Sequence, residues 1–327
     1  MQHSRTSMTV ILVICLALLG IISAGKIDDN LQGGRSQNDM IVSDGKSVNI
    51  DTVEPVINPE ESFFASSTAS ASTTPASPTT IAPVYSDGIT AEAYIAADVV
   101  TGEIYMQRNA TRVLPVASMS KLVTAFVATD MLSATSTIFI GREEAAAPPD
   151  GSGITENEKF SLSEILYPLL LDSSNIAAEA LASSTNRARF LEFMRSYAWE
   201  IGMDTSNFAD PSGVDPHNAA SATDLLALAK YLYKFRPDVL ALTRTRIYSV
   251  ATTSDHGSHN FVSIHPFVSD PNFIGGKTGR TPEAGDTMLT IISIGDHPVA
   301  IVVLGSRYDG RAADTRKIIS ELVKKMI

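Results

Sequence analysis

The stretch VLPVASMSKLVTAFVATDML, from Val113 to Leu132, sets the central question about this chain. It predicts an apolar helix that begins at Ser118 and places Lys121 on the same face, because helical residues three apart are neighbours. A lysine that points into the buried side of a helix costs free energy unless the protein uses it. Ser120 lies on another face and should point elsewhere.

The pairing of Ser118 with Lys121 can form a nucleophile that needs no histidine. A serine in the first turn is close to unpaired backbone N–H groups and to the positive end of the helix dipole. That dipole and burial both lower the pKa of a nearby lysine, so a neutral amine can take the serine proton. The S-x-x-K motif alone is weak, and a helix start with a solvated lysine accounts for an isolated match.

Two further motifs strengthen the interpretation. Ser173-Ser174-Asn175 is an S-x-N element at the break between two predicted helices, where a hydroxyl and an amide can relay a proton and hold a carbonyl. GGKTGR places Lys277 and Thr278 on a predicted strand, where they can hold a carboxylate, and Gly279 lets a ligand approach the backbone. Each motif alone also fits an ordinary helix cap or edge strand.

The order S-x-x-K, S-x-N, K-T-G resembles that of the penicillin-recognising serine enzymes, which include penicillin-binding proteins and class A β-lactamases. Within that set the chain resembles the D-alanyl-D-alanine carboxypeptidase family of low-molecular-mass penicillin-binding proteins. The surrounding sequences that carry the resemblance are LPVASMSKL, LLLDSSNIAAEALA, FADPSGVDPHNAASATDLLALAKYL and GGKTGRTPEAG. The resemblance extends from about Gly88 to the end of the chain.

The resemblance implies a catalytic role for each motif. Ser118 would attack the carbonyl of the penultimate D-alanine of a peptidoglycan stem peptide, with Lys121 as the general base for acylation. Ser173 would shuttle a proton to the leaving amine, and Asn175 would orient Lys121 and the substrate. The backbone N–H groups of Ser118 and Arg280 would form the oxyanion hole.

The resemblance also implies how the substrate is held. Lys277 and Thr278 would bind its terminal carboxylate, next to Gly279. Arg311, in YDGRAADTRK, lies where the family often has another carboxylate-binding arginine, although Arg280 and Arg307 are nearby rivals for that role. No cofactor or metal is implied, and β-lactam antibiotics are the expected acylating inhibitors.

Composition limits the other classes of function. The 327 residues are 44% hydrophobic, enough for one large core or two smaller ones. A net charge of −11 argues against a nucleic-acid partner, because phosphate binding needs a basic face. The single cysteine, Cys15, lies in an apolar run, so the rest of the chain has no disulfide and no cysteine-based metal site.

The N-terminal part predicts a tethered extracytoplasmic protein. Residues 1–25 read as a signal peptide or membrane anchor, because an apolar run follows Arg5 and ends in small residues. Residues 26–87 include a segment of almost only Ala, Ser, Thr and Pro, which predicts a disordered tether. Residues 88–327 would be the peptidase domain.

The pattern of predicted elements in that domain indicates an α/β (α+β) fold. Two strands open it, a helical middle follows, and three strands and a helix close it. These elements suggest a five-stranded antiparallel sheet flanked by helices, with the helical middle as a second lobe and a site between the two. The resemblance to penicillin-recognising enzymes implies the same architecture, which is that of β-lactamases and transpeptidases.

Four alternatives stay open on the sequence. The first is a D,D-endopeptidase, which cuts cross-links. Many family members carry a small β-domain after the catalytic domain, and those without it include D,D-endopeptidases. Here the last predicted helix ends the chain. A β-lactamase would need a carboxylate such as Glu164 to activate water. A metallopeptidase would need His256, His259 and His265, which lie in a loop segment without a Glu base. A non-catalytic β-lactam sensor would not need the Ser–Lys pair.

Overall fold

The structure, a computed structural model, describes residues 87–326. The predicted N-terminal signal or anchor lies outside this range, as does the predicted tether apart from Asp87. Within the described range, none of the helices combines the length and the apolar character that crossing a membrane requires.

Eleven strands occur among the described residues. They are β1 Ala93–Asp98, β2 Ile104–Arg108, β3 Leu114–Pro115, β4 Thr137–Phe139, β5 Lys159–Ser161, β6 Ala219–Ala220, β7 Ile247–Val250, β8 His259–Val262, β9 Phe273–Thr281, β10 Gly285–Ile294 and β11 His297–Ser306. The same residues form eight α-helices. They are α1 Ser120–Met131, α2 Arg142–Ala145, α3 Leu162–Leu170, α4 Asn175–Ser183, α5 Arg187–Glu200, α6 Ala222–Phe235, α7 Pro237–Thr243 and α8 Arg311–Met326.

The main sheet has five strands in the order β2-β1-β11-β10-β9, and every neighbouring pair is antiparallel. The register places Ile95 opposite Val302, Val302 opposite Leu289, and Leu289 opposite Lys277. This confirms the predicted five-stranded antiparallel sheet. It also makes β9, which carries Lys277, an edge strand with one side open to a ligand.

Helices cover both faces of the sheet. Alternate residues of β1 belong to different cores: Ile95 packs toward the helical lobe, whereas Tyr94 packs with Ile318 of α8. The period of two along a strand produces this division, because successive side chains point to opposite faces. On the lobe side, the short segment Ala117–Met119, which precedes α1, packs against β9.

Helix α1 lies in the middle of the lobe. Residues 120–128 are all buried, and the helix packs against α3, α4 and α5. A helix that is apolar all round belongs in a core rather than at a surface. The surrounding helices begin with side-chain caps, among them Ser161 for α3 and Ser221 for α6. Lys121 is therefore held in a fully packed setting.

Candidate active site

Ser118 lies in a short 3-10 helix, Ala117–Met119, immediately before α1. The predicted α-helix start at Ser118 is thus displaced by two residues. Ala117 has a φ of 51°, and Gly213 packs so closely that a Cβ on it would lie 1.9 Å from the Ala117 carbonyl oxygen. The turn that presents Ser118 therefore depends on a glycine at position 213.

Ser120 is separated from this reactive position, as the helix-face argument predicts. Its hydroxyl donates to the carbonyl oxygen of Ala117 at 3.0 Å and accepts from the side chain of Asn218 at 2.9 Å. The side chain is buried beneath the turn. It helps to hold the turn and does not face the cavity that Ser118 lines.

Lys121 is completely buried, and its amine is surrounded by neutral oxygen atoms. Nζ donates to Ser118 Oγ at 2.9 Å, to Asn175 Oδ1 at 2.8 Å and to the Ser212 carbonyl oxygen at 2.6 Å. Burial lowers the pKa of this lysine to about 7. A large fraction of it is therefore a neutral amine at neutral pH, next to the serine hydroxyl.

Three carboxylates oppose that fall in the Lys121 pKa: Asp210, Asp150 and Glu179. Asp210 also shapes the loop that supplies the Ser212 carbonyl. Its oxygens accept hydrogen bonds from the backbone N–H groups of Ser212, Gly213 and Asp215. In the sequence this segment, DPSG, contributed to the family resemblance without a role for Asp210 or Ser212, although Asp, Ser and Gly there indicate a side-chain-stabilised turn.

The S-x-N element lies at the predicted break between α3 and α4: Ser173 and Ser174 lie between the two helices, and Asn175 is the first residue of α4. Ser173 has a φ of 66°, and Ser174 caps α4 by accepting from the Ala177 N–H at 3.1 Å. Asn175 donates its side-chain amide to the Pro148 carbonyl oxygen at 3.0 Å. Because that bond fixes the NH₂ end, the amide oxygen is turned toward Lys121.

Asp150 anchors this element from a distant loop, and the sequence analysis did not identify it. It accepts hydrogen bonds from Ser174 Oγ at 2.8 Å, from the Ile176 N–H at 3.1 Å and from the Asn175 N–H. Burial raises the pKa of Asp150, but hydrogen bonds led by those from Ser152 outweigh this and lower it. The sequence carries no signal for it, since Asn175 lies 25 residues away.

The K-T-G motif lies on β9, opposite the nucleophile turn. Lys277 is buried, and its Nζ donates to Ser173 Oγ at 2.8 Å and to the Thr278 carbonyl oxygen at 3.0 Å. A Cβ on Gly279 would lie 2.9 Å from the carbonyl oxygen of Val116. The missing side chain at position 279 therefore lets β9 pack directly against the turn that carries Ser118.

The three candidate arginines have different surroundings. Arg311 is half-buried and donates to the Gly279 carbonyl oxygen at 2.7 Å. The guanidinium of Arg280 pairs with Asp286 and Asp309. Arg307 lines a neighbouring cavity. Of Arg280 and Arg307, only Arg280 also lines the cavity that contains Ser118 and Arg311.

The predicted residues meet at one cavity of about 230 Å³. It is lined by Ser118, Asp150, Asp172, Ser173, Asn175, Ile264, Thr278, Gly279, Arg280 and Arg311. Lys121 and Lys277 lie behind its wall and reach it through their hydrogen bonds to Ser118 and Ser173. A second cavity of about 730 Å³ adjoins it at Arg280.

The residues of the alternative mechanisms lie elsewhere. Glu164 forms the capping box of α3 with Ser161. His259 contacts Glu158 at 2.8 Å, and His265 is buried against the carbonyl oxygen of Leu289. Nowhere in residues 87–326 do three His, Cys, Asp or Glu side chains converge in a way that could hold a metal ion.

The chain is similar to proteins of a known family. A family model described as D-alanyl-D-alanine carboxypeptidase matches residues 78–308. The chain belongs to this family. The resemblance carried by the three motifs is thereby confirmed.

Individual relatives cover most of the chain at low identity. The chain is 25% identical over 240 residues to D-alanyl-D-alanine carboxypeptidase DacC of Escherichia coli strain K12, covering 69% of this chain and 59% of that protein. It is 28% identical over 210 residues to the D-alanyl-D-alanine endopeptidase of Pseudomonas aeruginosa, covering 62% of this chain and 67% of that protein.

A solved structure extends the comparison to three dimensions. The chain superposes on penicillin-binding protein D2 of Listeria monocytogenes in its cefotaxime-bound form with a TM-score of 0.62 and 29% identity. The match covers 70% of this chain and 96% of that one. The chain therefore shares both the fold and part of the sequence of a penicillin-binding protein.

Proposed function

We propose that the protein is a serine-type D-alanyl-D-alanine carboxypeptidase that removes the terminal D-alanine of peptidoglycan stem peptides. The observation that carries the proposal is the contact of 2.9 Å between the Lys121 amine and the Ser118 hydroxyl. Lys121 is wholly buried and forms no salt bridge with any residue in the range 87–326. Such an amine is available as a proton acceptor.

Acylation begins when the Ser118 hydroxyl attacks the carbonyl carbon of the scissile peptide bond. Lys121 takes the hydroxyl proton, and Asn175 together with the Ser212 carbonyl keeps its amine directed at Ser118. The backbone N–H groups of Ser118 and Arg280 stabilise the oxyanion. Preorganised donors of this kind each contribute about 3–4 kcal/mol to the transition state.

Collapse of the tetrahedral intermediate requires a proton on the departing amine. Ser173 can supply it, because its hydroxyl lines the cavity and the hydrogen bond from Lys277 makes that hydroxyl more acidic. The proton that Lys121 took from Ser118 then replaces the one that Ser173 gave, which leaves Lys121 as a neutral amine again. The products of this step are free D-alanine and an ester on Ser118. Water then attacks the ester with Lys121 again as base, which releases the shortened peptide and restores the serine hydroxyl.

The substrate carboxylate is held on the leaving side of the bond. Lys277, Thr278 and Arg311 offer two cationic groups and a hydroxyl around Gly279. Carboxylates bind such groups through charge-assisted hydrogen bonds, which are about twice as strong as neutral ones. The same groups would bind the carboxylate of a β-lactam, which we propose as an acylating inhibitor.

The proposed substrate places the domain outside the cytoplasm, in the bacterial cell envelope. We propose residues 1–25 as a signal peptide or membrane anchor and residues 26–87 as a tether to the catalytic domain. The support is the sequence pattern alone: an apolar run after Arg5 followed by a Ser-, Thr-, Ala- and Pro-rich segment.

A second candidate function is D,D-endopeptidase, which cuts cross-links between stem peptides. Relatives named as D-alanyl-D-alanine endopeptidases support it, including the Pseudomonas aeruginosa protein. The cavity of about 730 Å³ supports it as well, because it offers further room beside the cavity that Ser118 lines, which it meets at Arg280. A cross-link has a whole peptide as its leaving group.

Mass spectrometry of muropeptides after incubation with the enzyme separates these functions. Loss of one alanine from pentapeptides supports the carboxypeptidase, and conversion of dimers to monomers supports the endopeptidase. Labelling by a fluorescent penicillin without turnover of either substrate would indicate a sensor and contradict both enzymatic proposals.

A further inference from the structure

Two carboxylates line the catalytic cavity without a role in the proposed mechanism: Asp150 and Asp172. The oxygens of Asp150 are occupied, since they accept from Ser174, Asn175 and the neighbouring backbone. Asp172 differs. One of its oxygens accepts from the Val262 N–H at 2.5 Å, and the other accepts no hydrogen bond from the described part of the chain.

Asp172 directly precedes Ser173, whose hydroxyl contacts the amine of Lys277 at 2.8 Å. The contacts of that amine are neutral: a hydroxyl and the carbonyl oxygen of Thr278. No carboxylate between residues 87 and 326 forms a salt bridge with Lys277. A buried ammonium without a counter-charge is costly, so its charged form needs help from a nearby anion.

The charges around Lys277 come from several elements. Burial lowers its pKa most, followed by the positive charges of Lys121 on α1 and Arg311 on α8. Asp172, in the loop after α3, acts in the opposite direction. The buried ring of His265 adds no charge, because burial lowers its pKa to about 3. The acidic side chain that favours a charged Lys277 is therefore Asp172.

We propose that Asp172 is a positioning residue of the carboxylate-binding site: its negative charge holds Lys277 in the ammonium form that binds the carboxylate of the substrate. This inference rests on the proposed function, since it concerns a substrate that ends in a carboxylate. Asp172 acts through Lys277 and takes no part in the bond-breaking step.

The direction of the pH effect follows from the sign of the charge. Burial raises the pKa of Asp172 to about 6, so its carboxyl is ionised at neutral and alkaline pH. Asp172→Asn keeps an oxygen for the Val262 N–H but removes the charge. Lys277 then loses its proton at lower pH, so binding of a carboxylate weakens on the alkaline side first.

The test compares two substrates that share the same N-blocked D-alanyl group. One is a peptide that ends in D-alanyl-D-alanine, and the other is an ethyl thioester, whose leaving group has no carboxylate. For Asp172→Asn, kcat/KM for the peptide falls about tenfold at about pH 8.5 and less than about twofold at about pH 6.5. Acylation by the thioester stays within about twofold of wild type across this range.

Two variants make the test specific. Asp172→Glu keeps the negative charge, so kcat/KM for the peptide at alkaline pH returns to the wild-type level. Asp150→Asn removes the other carboxylate of the cavity and leaves that value in place, because Asp150 does not set the charge of Lys277.

The results that would overturn the inference are distinct from failure of the proposed function. An equal loss at both pH values, a parallel loss with the thioester, or an unchanged alkaline limb in Asp172→Asn contradicts the role of Asp172 alone. A wild-type enzyme that cleaves neither substrate contradicts the proposed function, and the inference falls with it.

Discussion

The two sides of the catalytic cavity each contain a buried lysine, and the two lysines have opposite requirements. Lys121 on α1 contacts the Ser118 hydroxyl, and the proposed mechanism needs its amine without a proton. Lys277 on β9 contacts the Ser173 hydroxyl, and the proposed binding of the substrate carboxylate needs its amine protonated. Both are buried, and burial is the main cause that lowers the pKa of each. Burial alone therefore does not decide which lysine acts as a base; the neighbouring charges and the ligand decide.

The largest expected effect is that of replacing Ser118, whose hydroxyl contacts the Lys121 amine. Ser118→Ala abolishes covalent labelling by a fluorescent penicillin. Among the described residues, Ser118 carries the only hydroxyl that both lines the cavity and forms a hydrogen bond with the Lys121 amine. Ser120→Ala keeps most of the labelling, since Ser120 supports the turn from beneath. If Ser120→Ala lost the labelling and Ser118→Ala kept it, Ser120 and not Ser118 would be the nucleophile.

Removing the base comes next in size. Lys121→Ala lowers the acylation rate about 10²–10⁴-fold, the usual contribution of general acid–base catalysis. Unfolding in urea should show a much smaller change, about 1–3 kcal/mol, from the oxygens left without a donor. Lys121→Arg keeps a positive charge but offers no proton acceptor, so it should be as slow. An active arginine variant would show that charge, and not basicity, is what Lys121 provides.

The other lysine should affect binding more than chemistry. Lys277→Gln raises KM about 10- to 100-fold for a peptide that ends in a carboxylate, because a charge-assisted hydrogen bond is lost. The ethyl thioester without a carboxylate should lose much less. Steady-state kinetics with both substrates check this, and equal losses for the two would place Lys277 in the chemical step instead.

A smaller effect is expected on the acid side of the pH profile of the acylation rate, in the variant Asp150→Asn. Lys121 must be neutral to act, so acylation falls as pH drops through its pKa of about 7. Asp150 raises that pKa by its charge, and Asp150→Asn therefore moves this fall to lower pH. The ratio of the thioester acylation rates at about pH 6 and pH 8 should rise about threefold. An unchanged ratio would mean that Asp150 acts only as an anchor of Asn175.

The smallest expected effect is that of truncation. A fragment that starts at Ser86 retains Asp87, which pairs with Arg108 and accepts from the Ile89 N–H. It should be soluble without detergent and show wild-type kcat/KM, because the cavity is built from later residues. A fragment that starts at Gly88 lacks Asp87 and should melt at a lower temperature. Inactivity of the Ser86 fragment would contradict the predicted tether.

Much of the fold was predictable because it depends on periodicity. The strands alternate between two cores, and the helices of the lobe start at recognisable caps such as Ser221. The motifs also named Ser118, Lys121 and Lys277 as candidate site residues, and their catalytic and binding roles stay a prediction. The displaced helix start at Ser118 was not predictable, because tertiary packing of Gly213 against Ala117 shapes that turn.

The carboxylates that support the site could not be predicted from sequence patterns either. Asp150, Asp172 and Asp210 lie in irregular segments, and their partners are defined by loops that meet only in the folded chain. No spacing rule connects Asp150 with Asn175, which are 25 residues apart. The residues proposed to carry the chemistry can thus be named from motifs, whereas those proposed to tune its charges require the structure.

The central claim, that Lys121 has a pKa of about 7 and is therefore substantially uncharged at neutral pH, can be measured directly by NMR. The Ser86 fragment is prepared with ¹³C-labelled lysine, and the Lys121 signal is assigned from its loss in Lys121→Ala. The account predicts that this signal titrates near pH 7, well below the ordinary lysine value of about 10.4. A Lys121 signal that titrates near about pH 10 would contradict the account, because the amine would then be protonated when Ser118 has to react.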